Sequence, residues 1–263
     1  MTGSAGIELA VEGLTIRFGG LTAVDGMTFQ VRTGEVLSLI GPNGAGKTSA
    51  FNAITGYIEA VGGDMRYRGT RLNGLKPNQI AALGVVRTFQ KTSVFAGQSV
   101  HDNVLIGLHL RSRQQPLAIL LGLPSVAREE KALLAEAEAI LRFVGLQARA
   151  AQVASSLPYG ELRLLEVAVA LAAQPKLLLL DEPVSGMNPV ETESFMRLLG
   201  EIRAQGVTVL LVEHDMKMVM GVSDRIVCLN HGRIIADGTP AEIRGNSEVV
   251  RAYLGERYAR AHG

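Results

Sequence analysis

The hydrophobic positions near the start of the chain alternate with polar ones. The alternation covers residues 7–11, slips at Gly13 and resumes over residues 14–18, so it predicts a strand with a β-bulge. Residues 27–31 alternate again and predict an antiparallel partner, and the short segment 63–69 is also typical of a strand. Together these segments predict a small antiparallel β-subdomain in the N-terminal part of the chain.

Three later segments are almost continuously apolar. They cover residues 36–40, 177–180 and 207–212, and strands buried on both faces of a parallel sheet show this pattern. Apolar residues recur at helical spacing over residues 133–144 and 189–204. The chain is therefore predicted to be an α/β protein in which an antiparallel part joins a mostly parallel core.

A glycine-rich loop follows the first of these apolar runs and precedes a predicted helix. Residues 41–48 fit the pattern G-x-x-x-x-G-K-[ST]. Glycines let such a loop bend around a phosphate, so that backbone N–H groups and the positive end of the next helix face its oxygens. Lys47 would reach the β- and γ-phosphates, and the Thr48 hydroxyl would ligate Mg²⁺. A chance match has a probability on the order of 0.01 at ordinary residue frequencies, so we expect the chain to bind a nucleoside triphosphate. The predicted nucleotide-binding residues are Gly41, Pro42, Asn43, Gly44, Ala45, Gly46, Lys47, Thr48 and Ser49.

Two acids end the second apolar run. Asp181 and Glu182 follow four leucines directly, which places both at the carboxyl end of a buried strand. One carboxylate there can support Mg²⁺, and the other can deprotonate the water that attacks the γ-phosphate. An acidic strand end before the turn at Pro183 is the plainer alternative. With a phosphate-binding loop upstream, we expect hydrolysis of the nucleotide.

Four further residues stand at the ends of predicted elements and give weaker signals. Phe18 ends the first strand, where it could stack on adenine or be an ordinary core residue. Gln90 and His214 follow predicted strands, at the edge where α/β sheets bind ligands. Gly160 precedes a predicted helix at residues 162–173, whose N-terminus could face an anion.

Composition narrows the possible partners. Lys plus Arg (26) nearly equals Asp plus Glu (25) in 263 residues, so there is no bulk charge to hold nucleic acid or an anionic membrane. The single cysteine, Cys228, is expected to be a reduced core residue. No signal peptide is predicted, and no apolar run approaches the ~20 residues that a membrane span needs. We expect a soluble cytosolic chain, and its mean hydropathy of +0.21 favours a surface that docks on another molecule.

The separation between Lys47 and Asp181 leaves room for an inserted lobe. Within it, residues 117–123 form an apolar run between Pro116 and Pro124. This run is either an exposed surface that needs a partner or a satellite core of the lobe. The predicted organisation is a single domain with a core at residues 1–90 and 158–254, a helical lobe at about 91–157 and a flexible tail at 255–263.

The ordered set of motifs resembles an ABC-type ATPase subunit over essentially the whole chain. The matching motifs are the loop at residues 41–48, Gln90, Gly160 before a helix, Asp181-Glu182-Pro183, residues 185–188 (Ser-Gly-Met-Asn) and His214. Further motifs resemble one branch, the ATP-binding subunits of bacterial high-affinity branched-chain amino-acid importers. These are residues 17–20 (Arg-Phe-Gly-Gly), 87–90 (Arg-Thr-Phe-Gln), 213–217 (Glu-His-Asp-Met-Lys), 221–225 and 251–255.

The resemblance implies a role for each matching side chain. Phe18 would stack on adenine, and Lys47 and Thr48 would hold phosphates and Mg²⁺. Gln90 would contact Mg²⁺ and the lytic water, Asp181 would support Mg²⁺, and Glu182 would be the general base. His214 would contact the γ-phosphate, and Gly160 would complete the ATP site of the opposite subunit. The signature differs from the usual Leu-Ser-Gly-Gly-Gln, because Pro158, Tyr159 and Glu161 occupy its second, third and fifth places. Asn188 stands where the family usually has Asp.

The resemblance also implies partners and a location. The chain would form a dimer with itself or a related ATPase subunit and drive two membrane-embedded permease subunits at the cytoplasmic face of the inner membrane. A solute-binding protein would be an indirect partner, and the cargo would be branched-chain or other amino acids. One alternative is the same ATPase with another cargo, such as urea, short amides or an exported lipid. The other is a soluble mechanoenzyme that acts on nucleic acid or ribosomes, which near-zero net charge and a single phosphate-binding loop disfavour.

Overall fold

A computed structural model describes residues 6–88, 94–109 and 124–253. The chain divides into two compact units. Their bounds are Met1–Arg87, Lys176–Pro183 and Thr192–Gly263 for the first, and Thr88–Pro175 and Val184–Glu191 for the second.

The described elements are numbered in chain order. They are β1 (Ile7–Phe18), β2 (Leu21–Arg32), β3 (Val36–Ile40), α1 (Lys47–Ile54), β4 (Gly62–Tyr67), β5 (Thr70–Arg71), α2 (Pro77–Ala82), β6 (Val85–Arg87), α3 (Val100–His109), α4 (Pro124–Phe143), α5 (Tyr159–Ala172), β7 (Leu177–Asp181), α6 (Pro189–Ala204), β8 (Thr208–Val212), α7 (Met216–Val222), β9 (Arg225–Asn230), β10 (Arg233–Gly238) and α8 (Pro240–Gly245). Short 3-10 turns cover Gln147–Arg149 and Ala154–Ser156, and residues 247–253 are helical.

The antiparallel sheet of the first unit has the strand order β2-β1-β4-β5. In β1 the pairing register with β2 shifts between Val11 and Leu14, and Gly13 lies between them with φ of +62°. This confirms the predicted bulge, because glycine reaches positive φ without strain. Val11 and Leu14, on either side of the bulge, are fully buried. The bulge therefore keeps the apolar residues on both sides of it facing the core.

The second sheet of this unit has the order β10-β9-β3-β8-β7-β6. All its neighbouring strands pair in parallel except β10, which is antiparallel to β9. Every residue of β3, β7 and β8 is buried, as continuously apolar strands require. The predicted α/β fold, with a mostly parallel core and an antiparallel subdomain, is confirmed.

Alternate residues of β9 pack into two apolar clusters on opposite faces of the sheet. Val227 and Leu229 belong to the larger cluster, which includes the inner faces of β1, β2 and α1. Ile226 and Cys228 belong to the other, with side chains from α7 and α8. Both faces are therefore covered within the first unit, and the carboxyl ends of the parallel strands are the edge left for ligands.

The second unit is helical. α3 and α4 pack against each other and against α5, with Val104, Ala137 and Leu165 fully buried. Residues 158–175 belong to this unit, whereas the sequence placed them in the core, because the buried face of α5 contacts the two inserted helices. The predicted apolar run at 117–123 and the tail at 255–263 lie outside the described residues.

Within residues 6–88, 94–109 and 124–253, no helix is long and apolar enough to cross a membrane.

Cys228 is a free, fully buried thiol in β9, which confirms the expected core position. Burial raises the pKa of this thiol to about 12. Since the thiolate is the reactive form, we expect iodoacetamide at pH 8 to label the native chain at least about tenfold more slowly than the chain unfolded in urea. Mass spectrometry would measure the two rates, with Cys228→Ser as the unlabelled control. Equal rates would show that the thiol is accessible in the folded chain.

Candidate active site

The glycine-rich loop joins β3 to α1 and closes on itself. The Ala45 N–H donates to the Pro42 carbonyl oxygen at 3.1 Å. The Lys47 ammonium donates to the carbonyl oxygens of Gly41, at 2.6 Å, and Pro42, at 2.9 Å. Gly46 is the residue that caps α1, with φ of +105°. The structure thus places the Lys47 ammonium against the loop at the start of a helix, which is an arrangement suited to binding phosphate.

Two of the loop glycines are required by packing against neighbouring backbone. A Cβ at Gly41 would lie 2.2 Å from the Leu229 carbonyl oxygen, and one at Gly46 would lie 2.5 Å from the Ala23 carbonyl oxygen. Gly44 also has positive φ, +77°, but no atom lies within 4 Å of its Cβ position. The first two glycines therefore fit the loop between β9 and β2, whereas Gly44 serves the backbone conformation alone.

The turn between β9 and β10 supports this loop from outside. The Gly232 N–H donates to the Ala45 carbonyl oxygen at 3.0 Å, and the Gly232 carbonyl oxygen accepts from the Asp25 N–H at 2.9 Å. A Cβ at Gly232 would lie 2.8 Å from the Ala23 carbonyl oxygen. Sequence reasoning identified no function for Gly232, and its only signal is the glycine of a hairpin turn.

Asp181 ends β7 with a fully buried side chain. Its Oδ2 accepts from Arg87 Nη2 at 2.6 Å. Its Oδ1 is also buried, and among the described residues it has no hydrogen-bond partner. Carboxylate oxygens are the ligands that hard cations prefer, so Asp181 fits the predicted support for a magnesium ion.

Glu182 follows in a left-handed conformation, with φ of +48°. For a residue other than glycine this costs on the order of 1–2 kcal/mol. Its N–H donates to the Val212 carbonyl oxygen at 2.8 Å, which holds the residue at the end of the sheet. Its side chain is about one-third exposed, and Oε1 lies 4.0 Å from His214 Nδ1. The structure therefore brings Glu182 and His214 together, as the two strand ends predicted.

A buried carboxylate shapes the turn that carries His214. Glu213 Oε2 accepts from the backbone N–H of His214 at 2.6 Å and of Asp215 at 3.1 Å. The same oxygen lies 3.4 Å from His214 Nδ1. The Asp215 carboxylate then caps α7 by accepting from the Met218 N–H at 3.0 Å. The sequence motif indicated these residues but not their task, which is to direct His214 outward.

Phe18 lies at the turn of the β1–β2 hairpin, and β2 of that hairpin packs against the loop. The Cβ position of Gly46 is 3.1 Å from Val24 Cγ2, and Val24 pairs with Ile16. Phe18 follows Ile16 by two residues in β1, and the Cα atoms of residues two apart in a strand are separated by roughly 7 Å. Its side chain is 48% exposed, which suits a stacking surface better than a core position. Gln90 lies outside the described residues.

The signature residues lie in the second unit, where Tyr159 contacts the loop after the two acids. A Cβ at Gly186 would lie 2.9 Å from the Tyr159 ring. On the other side, the Arg163 guanidinium lies 4.9 Å from the ring centre, and its Nη2 donates to the Tyr159 hydroxyl at 2.5 Å. Arg163 Nη1 also donates to Glu166 Oε2 at 2.8 Å. Burial raises the pKa of the Glu166 carboxyl above its usual value, and the charge of Arg163 offsets part of that increase. Tyr159 is thus a fixed part of the signature.

Gly160 and Asn188 are held at the start of their helices. The carboxyl carbon of Glu191 would lie 3.0 Å from a Cβ at Gly160. Glu191 Oε2 accepts from the Asn188 N–H at 2.8 Å, and Asn188 Oδ1 accepts from the N–H groups of Val190, at 2.9 Å, and Glu191, at 3.0 Å. Asn caps a helix about as well as Asp, so the substitution preserves this turn. Sequence reasoning did not identify Glu191.

A loop of the pattern G-x-x-x-x-G-K-[ST] and an Asp-Glu pair at the ends of parallel strands in one sheet are typical of a P-loop nucleoside triphosphatase. A model of the family described as "ABC transporter" matches residues 24–185, and one described as "Branched-chain amino acid ATP-binding cassette transporter" matches residues 233–259. The chain belongs to the ABC transporter family and is an ATPase.

Curated relatives are similar over nearly their full length. The chain is 47% identical over 249 residues, 94% of this chain and 98% of the relative, to the high-affinity branched-chain amino acid transport ATP-binding protein LivG of Salmonella typhimurium. It is 45% identical over 249 residues, 94% of this chain, to the protein BraF of Pseudomonas aeruginosa, which carries the same description.

Solved structures of ATP-binding cassettes from ABC transporters share the fold. An ADP conformation has a TM-score of 0.83 and 30% identity, and the match covers 95% of this chain and 99% of that one. A nucleotide-free cassette has a TM-score of 0.82 and 30% identity, with 94% of this chain and 98% of that one covered.

The contrast between Gly41 and Gly44 can be tested by alanine substitution. We expect Gly41→Ala to lower the free energy of unfolding by about 3 kcal/mol, because its Cβ meets fixed backbone. Gly44→Ala has open space and should lose only about 1 kcal/mol from its positive φ. Urea unfolding followed by circular dichroism would measure both. Equal losses would mean that the contact with β9 does not constrain the loop.

Proposed function

We propose that this chain couples ATP hydrolysis to the import of branched-chain amino acids through membrane-embedded partners. The observation that supports the chemistry best is the placement of the phosphate loop, Asp181, Glu182 and His214 at the carboxyl ends of strands in one sheet. The cargo rests on the relatives, whose descriptions name branched-chain amino acids.

In the proposed reaction the phosphates lie in the loop between β3 and α1. Its N–H groups and the Lys47 ammonium bind the phosphate oxygens, and Phe18 stacks on the adenine. Thr48, Asp181 and Gln90 would hold Mg²⁺, which would neutralise charge on the phosphates when bound. Each of these residues binds or orients the nucleotide rather than exchanging protons with it.

Glu182 is the proposed general base. Its carboxylate is partly exposed, so a water molecule can reach it, and in-line attack on the γ-phosphate requires that water to lose a proton. His214, on the neighbouring strand end and 4.0 Å from this carboxylate, would contact the γ-phosphate. The left-handed backbone of Glu182 supports a catalytic role, since strained backbone of this kind is found at functional sites.

The proposed partners follow from the family. Gly160 is the second residue of the 14-residue helix α5 and completes the ATP site of an opposing subunit, which is a second copy or a related chain. Two permease subunits and, indirectly, a solute-binding protein complete the transporter. The chain would then lie on the cytoplasmic face of the inner membrane as a peripheral subunit.

Glu182→Gln tests the base. We expect ATP to bind with unchanged affinity while turnover falls by roughly 100-fold or more, because the proton acceptor is lost. The variant should also accumulate an ATP-bound dimer, since hydrolysis no longer dissolves it. Phosphate release and size-exclusion chromatography with ATP would measure the two effects. Glu193→Gln, an exposed acid on α6, is the control, and ATPase activity near the parent rate in Glu182→Gln would refute the assignment.

The identity of the transported solute is tested by an uptake experiment that is separate from the ATPase measurement. In cells lacking this chain, its return should restore uptake of radiolabelled leucine, isoleucine and valine, and Glu182→Gln should not. Restored uptake of urea or short amides alone would instead support the same ATPase with another cargo.

A further inference from the structure

Arg87 is a buried cation that begins the motif at residues 87–90, and the family resemblance gives it no role. It is the last residue of β6, and its side chain is 6% exposed. Its guanidinium contacts two other elements of the first unit. Nη2 donates to Asp181 Oδ2 at the end of β7, at 2.6 Å, and Nη1 donates to Asn52 Oδ1 on α1, at 2.6 Å. The group also lies 5.5 Å from the centre of the Phe51 ring.

The positive charge of Arg87 compensates the negative charge of the buried Asp181 carboxylate. The Asp181 side chain is fully buried, and an unpaired carboxylate in such a position is strongly unfavourable. Arg87 supplies the opposite charge to one oxygen only. The other oxygen, Oδ1, has no hydrogen-bond partner among the described residues. A pair that served stability alone would be expected to satisfy both oxygens, so the open oxygen points to a ligand.

The two contacts of Arg87 join the elements that carry predicted magnesium ligands. Asn52 is four residues after Thr48 on α1, so both lie on one face of that helix. Asp181 is itself the second predicted ligand. The planar guanidinium can hold an amide and a carboxylate in fixed directions at once. It therefore sets the spacing between the start of α1 and the end of β7.

We propose that Arg87 is a positioning residue for the magnesium-bound nucleotide. By holding Asn52 and Asp181 Oδ2, it fixes the distance between Thr48 and Asp181 and turns Oδ1 towards the metal. This role rests on the proposed function. It assigns Arg87 no contact with ATP and no part in proton transfer.

Three variants distinguish the hydrogen bonds that Arg87 donates to Asn52 and Asp181 from the effect of its positive charge. Arg87→Met keeps the length of the side chain and removes both donors and the charge. Arg87→Lys keeps the charge but not the planar fork, so it cannot hold both partners in the same geometry. Asn52→Leu removes only the contact with α1. Arg225→Met is the matched control, because Arg225 is also a largely buried arginine of the first unit that donates to a buried carboxylate, Glu35, at 2.8 Å.

The experiment is a magnesium titration of the binding of a fluorescent ATP analogue to the purified full chain. We expect Arg87→Met to raise the half-saturating Mg²⁺ concentration roughly 10- to 100-fold, the usual effect of losing a residue that orients a metal ligand. Arg87→Lys and Asn52→Leu should show smaller increases in the same direction. Binding of the analogue in EDTA should be unchanged in all variants. Arg225→Met should lose stability in urea unfolding without a change in the magnesium requirement.

The titration can overturn the inference independently of the ATPase assignment. If the three variants lose stability but keep the parent's magnesium requirement, Arg87 is an ordinary structural ion pair and the inference is wrong. If Arg87→Met does not fold, Arg87→Lys decides, and an unchanged half-saturating concentration in it has the same meaning. If the parent chain binds the analogue with the same affinity at every Mg²⁺ concentration, the role assigned to Arg87 is wrong, whereas the proposed function is tested separately by phosphate release from ATP.

Discussion

The close approach of three backbone segments around the phosphate loop is the constraint on which the first unit depends. The carbonyl oxygen of Ala23 in β2 lies against both Gly46 and Gly232, and that of Leu229 in β9 lies against Gly41. None of these sites has room for a side chain. The antiparallel sheet, the parallel sheet and the loop are therefore locked together by backbone contacts, and α1 starts in one position relative to β3. Gly41 and Gly46 are therefore required by this packing as well as by their positive φ, +147° and +105°.

Buried carboxylates that pair with arginine in the described part of the first unit are of two kinds. Glu8 with Arg68 and Glu35 with Arg225 hold strands together away from the sheet's ligand-binding edge, and the oxygens of Glu8 and Glu35 accept further hydrogen bonds, from the Thr33 hydroxyl and the Arg32 N–H respectively. The Asp181 pair differs, because one oxygen lacks a partner among the described residues. Incomplete satisfaction is costly for a structural pair and useful for a ligand-binding one. Glu213 and Glu182 differ in a similar way. Glu213 is buried and accepts hydrogen bonds from backbone N–H groups of its turn, whereas the Glu182 side chain is about one-third exposed.

The unusual signature shows how local departures are accommodated. Tyr159 cannot act as a glycine would, yet its ring fits over Gly186 and is held by Arg163. Asn188 keeps the cap that an aspartate would supply. These contacts lie within the second unit and tie the start of α5 to the loop that follows Pro183. The loop that follows Pro183 thus packs against Tyr159 of the signature.

The sequence by itself determined the features that depend on neighbouring residues along the chain. The bulge at Gly13, the buried strands, the phosphate loop and the acids after four leucines are local patterns, because backbone period and motif spacing act over a few residues. Tertiary structure alone decided three others: residues 158–175 pack with the inserted helices, Gly232 supports the loop, and Arg87 links α1 to β7. Arg87 and Asp181 are far apart in sequence, and so are Gly232 and Ala45. Contacts of that kind arise only when sheet order brings the segments together, and no local periodicity encodes sheet order.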